Sequence, residues 1–355
     1  MGPGLKRCLC AAAGFAVFVP LSEAQELFLE RLPADYLAVT SPAERVRGEP
    51  GKMQVLETAC PSLPFDGARQ RIVDIAVQEW AYFGFSVADE TVERGDFGGG
   101  FGGSDRPRRS FRGFSRMDDG QAARLAGSIA GYWAITGDGS WILSRQNEVW
   151  NGSGVGARWR DPWSAAFISW VMCESGLDNA RFDRAINHHT YIDQAIRARD
   201  TGAAETAYVA YDVGEQPVEP GDLLCAARRP TYESLDERRS QLGNGIRSHC
   251  DIVIKLEPER ARVLAIGGNV RGSVSLKLLP AEFEPAGTGA VAIASVGRGR
   301  GEIFAHQKRR AAPTTDDAFR LSPTLKRLGE EPELVDRVRA TLEQAVRALS
   351  ESVLL

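Results

Sequence analysis

Asp161–Gly176, DPWSAAFISWVMCESG, reads as a helix buried on nearly every side. Asp161 is placed to cap the free N–H groups at its start, Pro162 fits the first helical position, and Gly176 ends the run. Trp163, Phe167, Ile168, Trp170, Val171 and Met172 leave no polar face, the pattern of a central helix rather than a surface one. Ser164 falls in the first turn, where unpaired backbone N–H groups and the helix dipole favour negative charge.

Helical spacing surrounds this stretch on both sides. Ile72, Ile75, Ala76, Trp80 and Phe83 recur at intervals of three and four before Gly84. Asp118 and Asp119 precede a second helix carrying Leu125, Ile129 and Trp133, closed by Gly137. Residues 137–160 read as a loop holding Trp141, Trp150 and Trp159, either a groove lining or an apolar lid. After the central helix, Phe182–Arg199 is again helical. Its face of Phe182, Ala185, His189, Ile192 and Ile196 makes His189 a core-edge residue, whereas His188 points elsewhere, toward a cleft.

The period then shortens to two. Thr206–Asp212, Leu223–Ala227, Asp251–Leu256, Arg262–Ile266, Ser273–Leu279 and Ala290–Val296 read as strands, separated by turns such as Glu219–Asp222 and Gly267–Asn269. Residues 228–248 read as a polar surface loop. Helices followed by a run of strands define an α+β protein: N-terminal helices packed on an antiparallel sheet that curls toward a barrel. The ordered domain is expected over 66–300, interrupted by a Gly/Arg-rich insertion at 94–117, RGDFGGGFGGSDRPRRSFRGFSRM. An extended segment, 25–65, precedes it. A linker, 301–325, and a charged amphipathic helix within 326–355, suited to docking on the domain or a protein partner, follow it.

Lys6 and Arg7 lead an apolar run, Cys8–Val19, and Ser22-Glu23-Ala24 supplies small residues for cleavage after Ala24. Residues 1–24 therefore read as a signal peptide, and the mature chain as periplasmic or secreted, without stable membrane insertion. A net charge of −4 with mixed signs argues against nucleic acid as a partner. With four histidines and no close carboxylate–histidine motif, no metal site and no cofactor is implied. Cys60, Cys173, Cys225 and Cys250 can form two bridges in an oxidising compartment. Cys225 with Cys250, on successive strands, is the favoured pair, set against unpaired buried thiols.

The chain order brings Ser164, His249 and Asn269 within reach of one another, a nucleophile, a base and a residue to orient that base. "PWSAAFISWVM", "PGDLLCAAR", "SHCDIVI" and "VLAIGGNV", with "AVQEWAYFG" and "NHHTYI", resemble the bacterial domain-of-unknown-function family 2272 over roughly Asp66–Leu279. The order is also similar to CHAP-type and NlpC-type cell-wall hydrolases. That likeness implies a papain-like core, with Ser164 as nucleophile, His249 as base, Asn269 as orienter and Trp163 and Asp222 at conserved-motif positions beside them. Trp163, His188, Asp161 and Asp222 are then the expected substrate-binding residues, and peptidoglycan or a peptide the expected ligand. The departure is Ser164, where those hydrolases carry cysteine. A thiol ionises at about 8.5 and is readily activated, whereas a hydroxyl needs a general base and an oxyanion hole. Cys173 lies more than two turns along the helix and cannot substitute. The same cleft, catalytically silent, would make a peptidoglycan- or peptide-binding module; a purely structural envelope protein would leave the polar trio without a role.

Overall fold

The computed structural model describes residues 27–64, 67–91, 119–229, 232–285, 291–296, 302–315 and 317–350. The expected signal peptide and the Gly/Arg-rich insertion lie outside the described residues.

The chain enters through helix α1 (Ala34–Leu37), a 3-10 turn at Pro42–Arg45 and a small ribbon of β1 (Val46–Arg47) and β2 (Gln54–Val55). Four longer helices follow, α2 (Ala68–Tyr82), α3 (Asp119–Ala134), α4 (Gly139–Ser153) and α5 (Ser164–Glu174), with β3 (Ser86–Asp89) between α2 and α3. Then come α6 (His188–Thr201), β4 (Tyr208–Tyr211), β5 (Leu223–Arg229), α7 (Leu235–Arg239), β6 (Arg247–Glu257), β7 (Arg262–Val270) and β8 (Ser273–Pro285). The described chain closes with β9 (Val291–Val296), β10 (Ile303–Arg309), α8 (Ala318–Leu321), α9 (Pro323–Gly329) and α10 (Pro332–Ser350). Among the described residues no helix is long and apolar enough to cross a membrane.

The class is α+β, and the sheet is large, open and mixed rather than wholly antiparallel. Its order is β3-β8-β7-β6-β5-β10-β4, with β9 paired to β8 off that path. β3 lies parallel to β8, Ser86 opposite Ser275, because it enters from the helical half of the chain instead of through a hairpin. The remaining pairs are antiparallel.

Residues 301–325 are not a linker throughout, since β10 sits inside the sheet between β5 and the edge strand β4. Phe304, Ala305, His306 and Gln307 are all buried, so this strand shows no alternation of apolar and polar residues. Residues 139–153 are helix rather than loop. Ile142, Leu143, Gln146 and Trp150 form its buried face, hidden in the sequence among Gly, Ser and Asn. The polar stretch 228–248 contains α7, pinned to α6 where the buried Arg238 guanidinium donates two bonds to Asp193, at 2.8 and 2.7 Å.

α5 is the hub. α2 and α3 pack on it from the helical side, β6 and β7 from the sheet, and Trp170, Val171 and Met172 are wholly buried. The N-terminal segment is strapped to its C-terminal end twice. The Cys60–Cys173 disulfide is one strap; the other is buried Arg45, which donates to Glu174 at 2.8 Å through Nε. The second bridge joins Cys225 and Cys250, paired residues on β5 and β6, as their strand positions favour.

Candidate functional site

Trp163, not Asp161, occupies the cap position of α5, and no side chain caps the helix. The Trp163 ring is 2% exposed, wedged 5.8 Å from Phe83 and 5.9 Å from Tyr132. It lines no cleft; its role is to fix where α5 begins. The first helical bond runs from Phe167 N–H to the Trp163 carbonyl, 3.0 Å. The N–H groups of Ser164, Ala165 and Ala166 thus have no acceptor within the helix. Asp161 pairs with Arg145 at 3.6 Å, both side chains partly exposed.

Ser164 opens the helix, and its hydroxyl lies 2.6 Å from Nε2 of His188. His188 is the first residue of α6, a position held by Asn187, whose side chain accepts from Thr190 N–H. The other ring nitrogen, Nδ1, accepts from the Cys250 backbone N–H at 3.3 Å and meets the Tyr191 hydroxyl one turn along α6. Burial, with the negative charge of Asp251 nearby, raises the Tyr191 phenol well above its ordinary range, so it stays protonated and donates.

A second array adjoins the first. The His249 ring lies 5.3 Å from that of His188, centre to centre. His249 Nε2 bonds Asp251 Oδ1 at 2.9 Å, and Asp251 Oδ2 accepts from Lys277 Nζ at 2.8 Å. Burial alone would raise the Asp251 pKa, but the Lys277 charge and the hydrogen bonds from His249 and Lys277 outweigh it and hold the carboxylate below its ordinary range. Burial likewise opposes the charge on Lys277, and Asp251 with Glu90 reverses that, holding its pKa up. The pair is therefore a fixed ionic clamp on one edge of the His249 ring.

Asn269 takes no part in this array. It sits in the left-handed region, φ 55°, where the β7–β8 register breaks, and His249 has its carboxylate partner in Asp251 instead. The missed signal is short: positions 249 and 251 are two apart on one strand and so share a face. Tyr191, three residues after His188 on a helix, was legible in the same way. Gly267 and Gly268 explain the glycines before Asn269. A Cβ at Gly267 would lie 2.0 Å from Asp251 Oδ1 and 3.0 Å from His249 Nε2, and one at Gly268 2.5 Å from Phe167 Cβ. β7 passes too close to the site and to α5 for any side chain there.

Asp222 belongs to a different knot. It is fully buried and accepts from Arg69 at 2.6 Å, Arg309 N–H at 2.9 Å and His306 at 2.9 Å, so it offers nothing to a ligand. Among the described residues no group of His, Cys, Asp and Glu is placed to hold a metal ion.

Fold and site together define a mixed α+β protein with a serine at a helix start, one imidazole bonded to it and a second, carboxylate-clamped imidazole alongside. The family model described as "Uncharacterized protein conserved in bacteria (DUF2272)" matches residues 121–305, more than half of the chain, and the chain belongs to that family. No curated protein and no solved structure matches it.

Proposed function

We propose that the protein is an exported hydrolase of amide or peptide bonds, with Ser164 as nucleophile, His249 as base and peptidoglycan as substrate. The observation that carries the chemistry is the Ser164–His188 contact of 2.6 Å beside the His249–Asp251–Lys277 array. Asp251 takes the orienting role expected of Asn269: it holds the His249 N–H at Nε2 and leaves Nδ1 as the basic atom. In the reaction the Ser164 proton passes to His249 while Oγ bonds to the carbonyl carbon. The proton is then delivered to the leaving nitrogen as the C–N bond breaks. Water, deprotonated by His249, releases the acyl group as a carboxylate and restores the hydroxyl. The free N–H groups at the start of α5 suit the oxyanion.

The peptidoglycan assignment rests on the likeness to CHAP-type and NlpC-type hydrolases and on the leader-like N-terminus. A papain-like core is part of the same reading: a central helix bearing the nucleophile, packed on strands that bear the histidine. The second reading, a silent peptidoglycan- or peptide-binding module, draws on burial. Ser164, His188 and His249 are only 8%, 4% and 9% exposed, so a substrate must open its own way to them.

Incubation with peptidoglycan sacculi and mass analysis of released fragments separates the two readings. Release by the wild type and not by Ser164→Ala or His249→Ala, each shown to be folded, supports the hydrolase and names the bond. Sacculi bound by the wild type without release would establish the binding module instead.

A further inference from the structure

The imidazole on Ser164 and the one whose ring centre lies 5.3 Å from its own are turned opposite ways, and their partners fix how. A backbone N–H can only donate, so the Cys250 N–H aimed at His188 Nδ1 requires a lone pair on that nitrogen. The protonated Tyr191 hydroxyl points at the same atom. In the neutral ring the proton is therefore on Nε2, the atom 2.6 Å from Ser164 Oγ. His188 presents an N–H to the serine. A base must present a lone pair, and His188 has none on that side. His249 is the converse: its N–H is spent on Asp251, and its lone pair is on the other nitrogen.

We infer that His188 is the side-chain oxyanion donor of this site, locked as the Nε2–H tautomer by Cys250 N–H and Tyr191, and is not its base. The inference rests on the hydrolase reading for its catalytic part. In a tetrahedral intermediate, Oγ and the oxyanion share one carbon. A donor already in contact with Oγ reaches the oxyanion by a small shift, leaving the Ser164 hydrogen free for His249. The α5 N–H groups supply the other donors. The lock passes through the backbone of Cys250, whose side chain is bridged to Cys225, so the donor is anchored to the sheet rather than to a mobile loop.

The test has two arms, both on the full chain. With ¹⁵N-labelled histidine, long-range proton–nitrogen spectra distinguish bare from protonated ring nitrogens, and loss of one signal set in His188→Gln assigns the ring. A bare Nδ1 and protonated Nε2 on His188 is expected; a protonated Nδ1 overturns the proposal. In the second arm an alkyl fluorophosphonate phosphorylates Ser164, forming P–O, breaking P–F and passing the serine proton to His249. His188→Gln keeps an N–H donor and is expected to label within about tenfold of the wild type. His188→Ala is expected to fall by about 10²–10³-fold, as for loss of one oxyanion donor. Labelling of His188→Ala at the wild-type rate, with its disulfides and fold intact, refutes the donor role. Wild type that never labels while His188 carries Nε2–H refutes Ser164 as nucleophile, and the catalytic part of the inference falls with it. Labelling with a protonated Nδ1 refutes the donor alone.

Discussion

Gly267→Ala is the smallest change that reaches the site without altering any of its chemical groups. Gly267 has ordinary strand backbone, so the variant is strained by its Cβ alone. That atom would stand 2.0 Å from Asp251 Oδ1 and 3.0 Å from His249 Nε2. The carboxylate would have to retreat by about 1.5 Å to reach an ordinary contact of about 3.5 Å. It has nowhere convenient to go: Asp251 is 3% exposed and held at 2.8 Å by Lys277. Overpacking of this kind costs about 1–3 kcal/mol, measurable as a lower urea midpoint with an unchanged slope. A displacement of about 1 Å in a catalytic array costs about 10²-fold in rate, so fluorophosphonate labelling of Ser164 is expected to drop by about that factor. Gly268→Ala, crowding Phe167 at 2.5 Å instead, is the comparison, and should lose stability through the α5 packing. Gly267→Ala with wild-type stability and wild-type labelling would show that Asp251 and His249 are not clamped as described.

Other consequences lie further from the site. Burial lifts Asp74 from 3.8 to about 6, against the hydrogen bond from Gln70. Because the unfolded carboxyl ionises first, stability falls as pH rises from about 4 to about 6, and the full cost, about 3 kcal/mol, persists above that. Asp74→Asn should therefore stabilise the protein at pH 7 by up to about 3 kcal/mol and by nothing below pH 4; an equal gain at both pH values would refute the assignment. Arg45→Ala strands Glu174, which is 0% exposed and whose pKa burial already raises, so a loss of about 3–5 kcal/mol at pH 7 is expected, shrinking in acid as Glu174 takes a proton. A denaturation curve unmoved at pH 7 would count against it. The bridges close loops of 113 and 25 residues. By chain entropy Cys60→Ser with Cys173→Ser should cost about 4.8 kcal/mol and the Cys225/Cys250 pair about 3.5 kcal/mol; the reverse order would place the larger constraint elsewhere.

The sequence carried the alternation of periods well, and with it the helices before the strands. β4 to β9 fall where their short apolar runs stop at Gly, Pro and Asn. It failed where polar residues are inside. β10 buries His306, Gln307 and Arg309, and their partners, Asp222, Cys225 and the Ala207 carbonyl, are all distant in the chain. No local pattern encodes such pairing. α4 was obscured because Gly, Ser and Asn populate its outer face while only five of its 15 residues face inward, one of them Gly139. At the site, Ser164, His188 and His249 were each legible, but which imidazole meets the serine was not. That depends on how α6 sits against β6, where the Cys250 N–H reaches His188 Nδ1 across 62 residues of chain, and periodicity within α6 does not encode it.

The hydroxyl at position 164 is the site's chief chemical oddity, and the cysteines show why a thiol is not found nearby. Cys60, Cys173, Cys225 and Cys250 are all consumed in bridges, and one of them donates the backbone N–H that locks His188. Ser164→Cys would restore a thiol to this setting. Three influences act on it: burial, which raises a thiol pKa, against the His188 N–H and the free N–H groups at the start of α5, which lower it. Ser164 is 8% rather than 0% exposed, and two kinds of donor converge on it, so the donors should win. The thiol should then alkylate with iodoacetamide on a pH profile centred below about 8.5, the value for a free cysteine. His188→Ala in the same background should move the midpoint up, whereas His188→Gln, still a donor, should move it much less. A midpoint at or above about 8.5 that ignores residue 188 would mean that burial governs position 164, and that the serine there is a packed hydroxyl rather than an activated one.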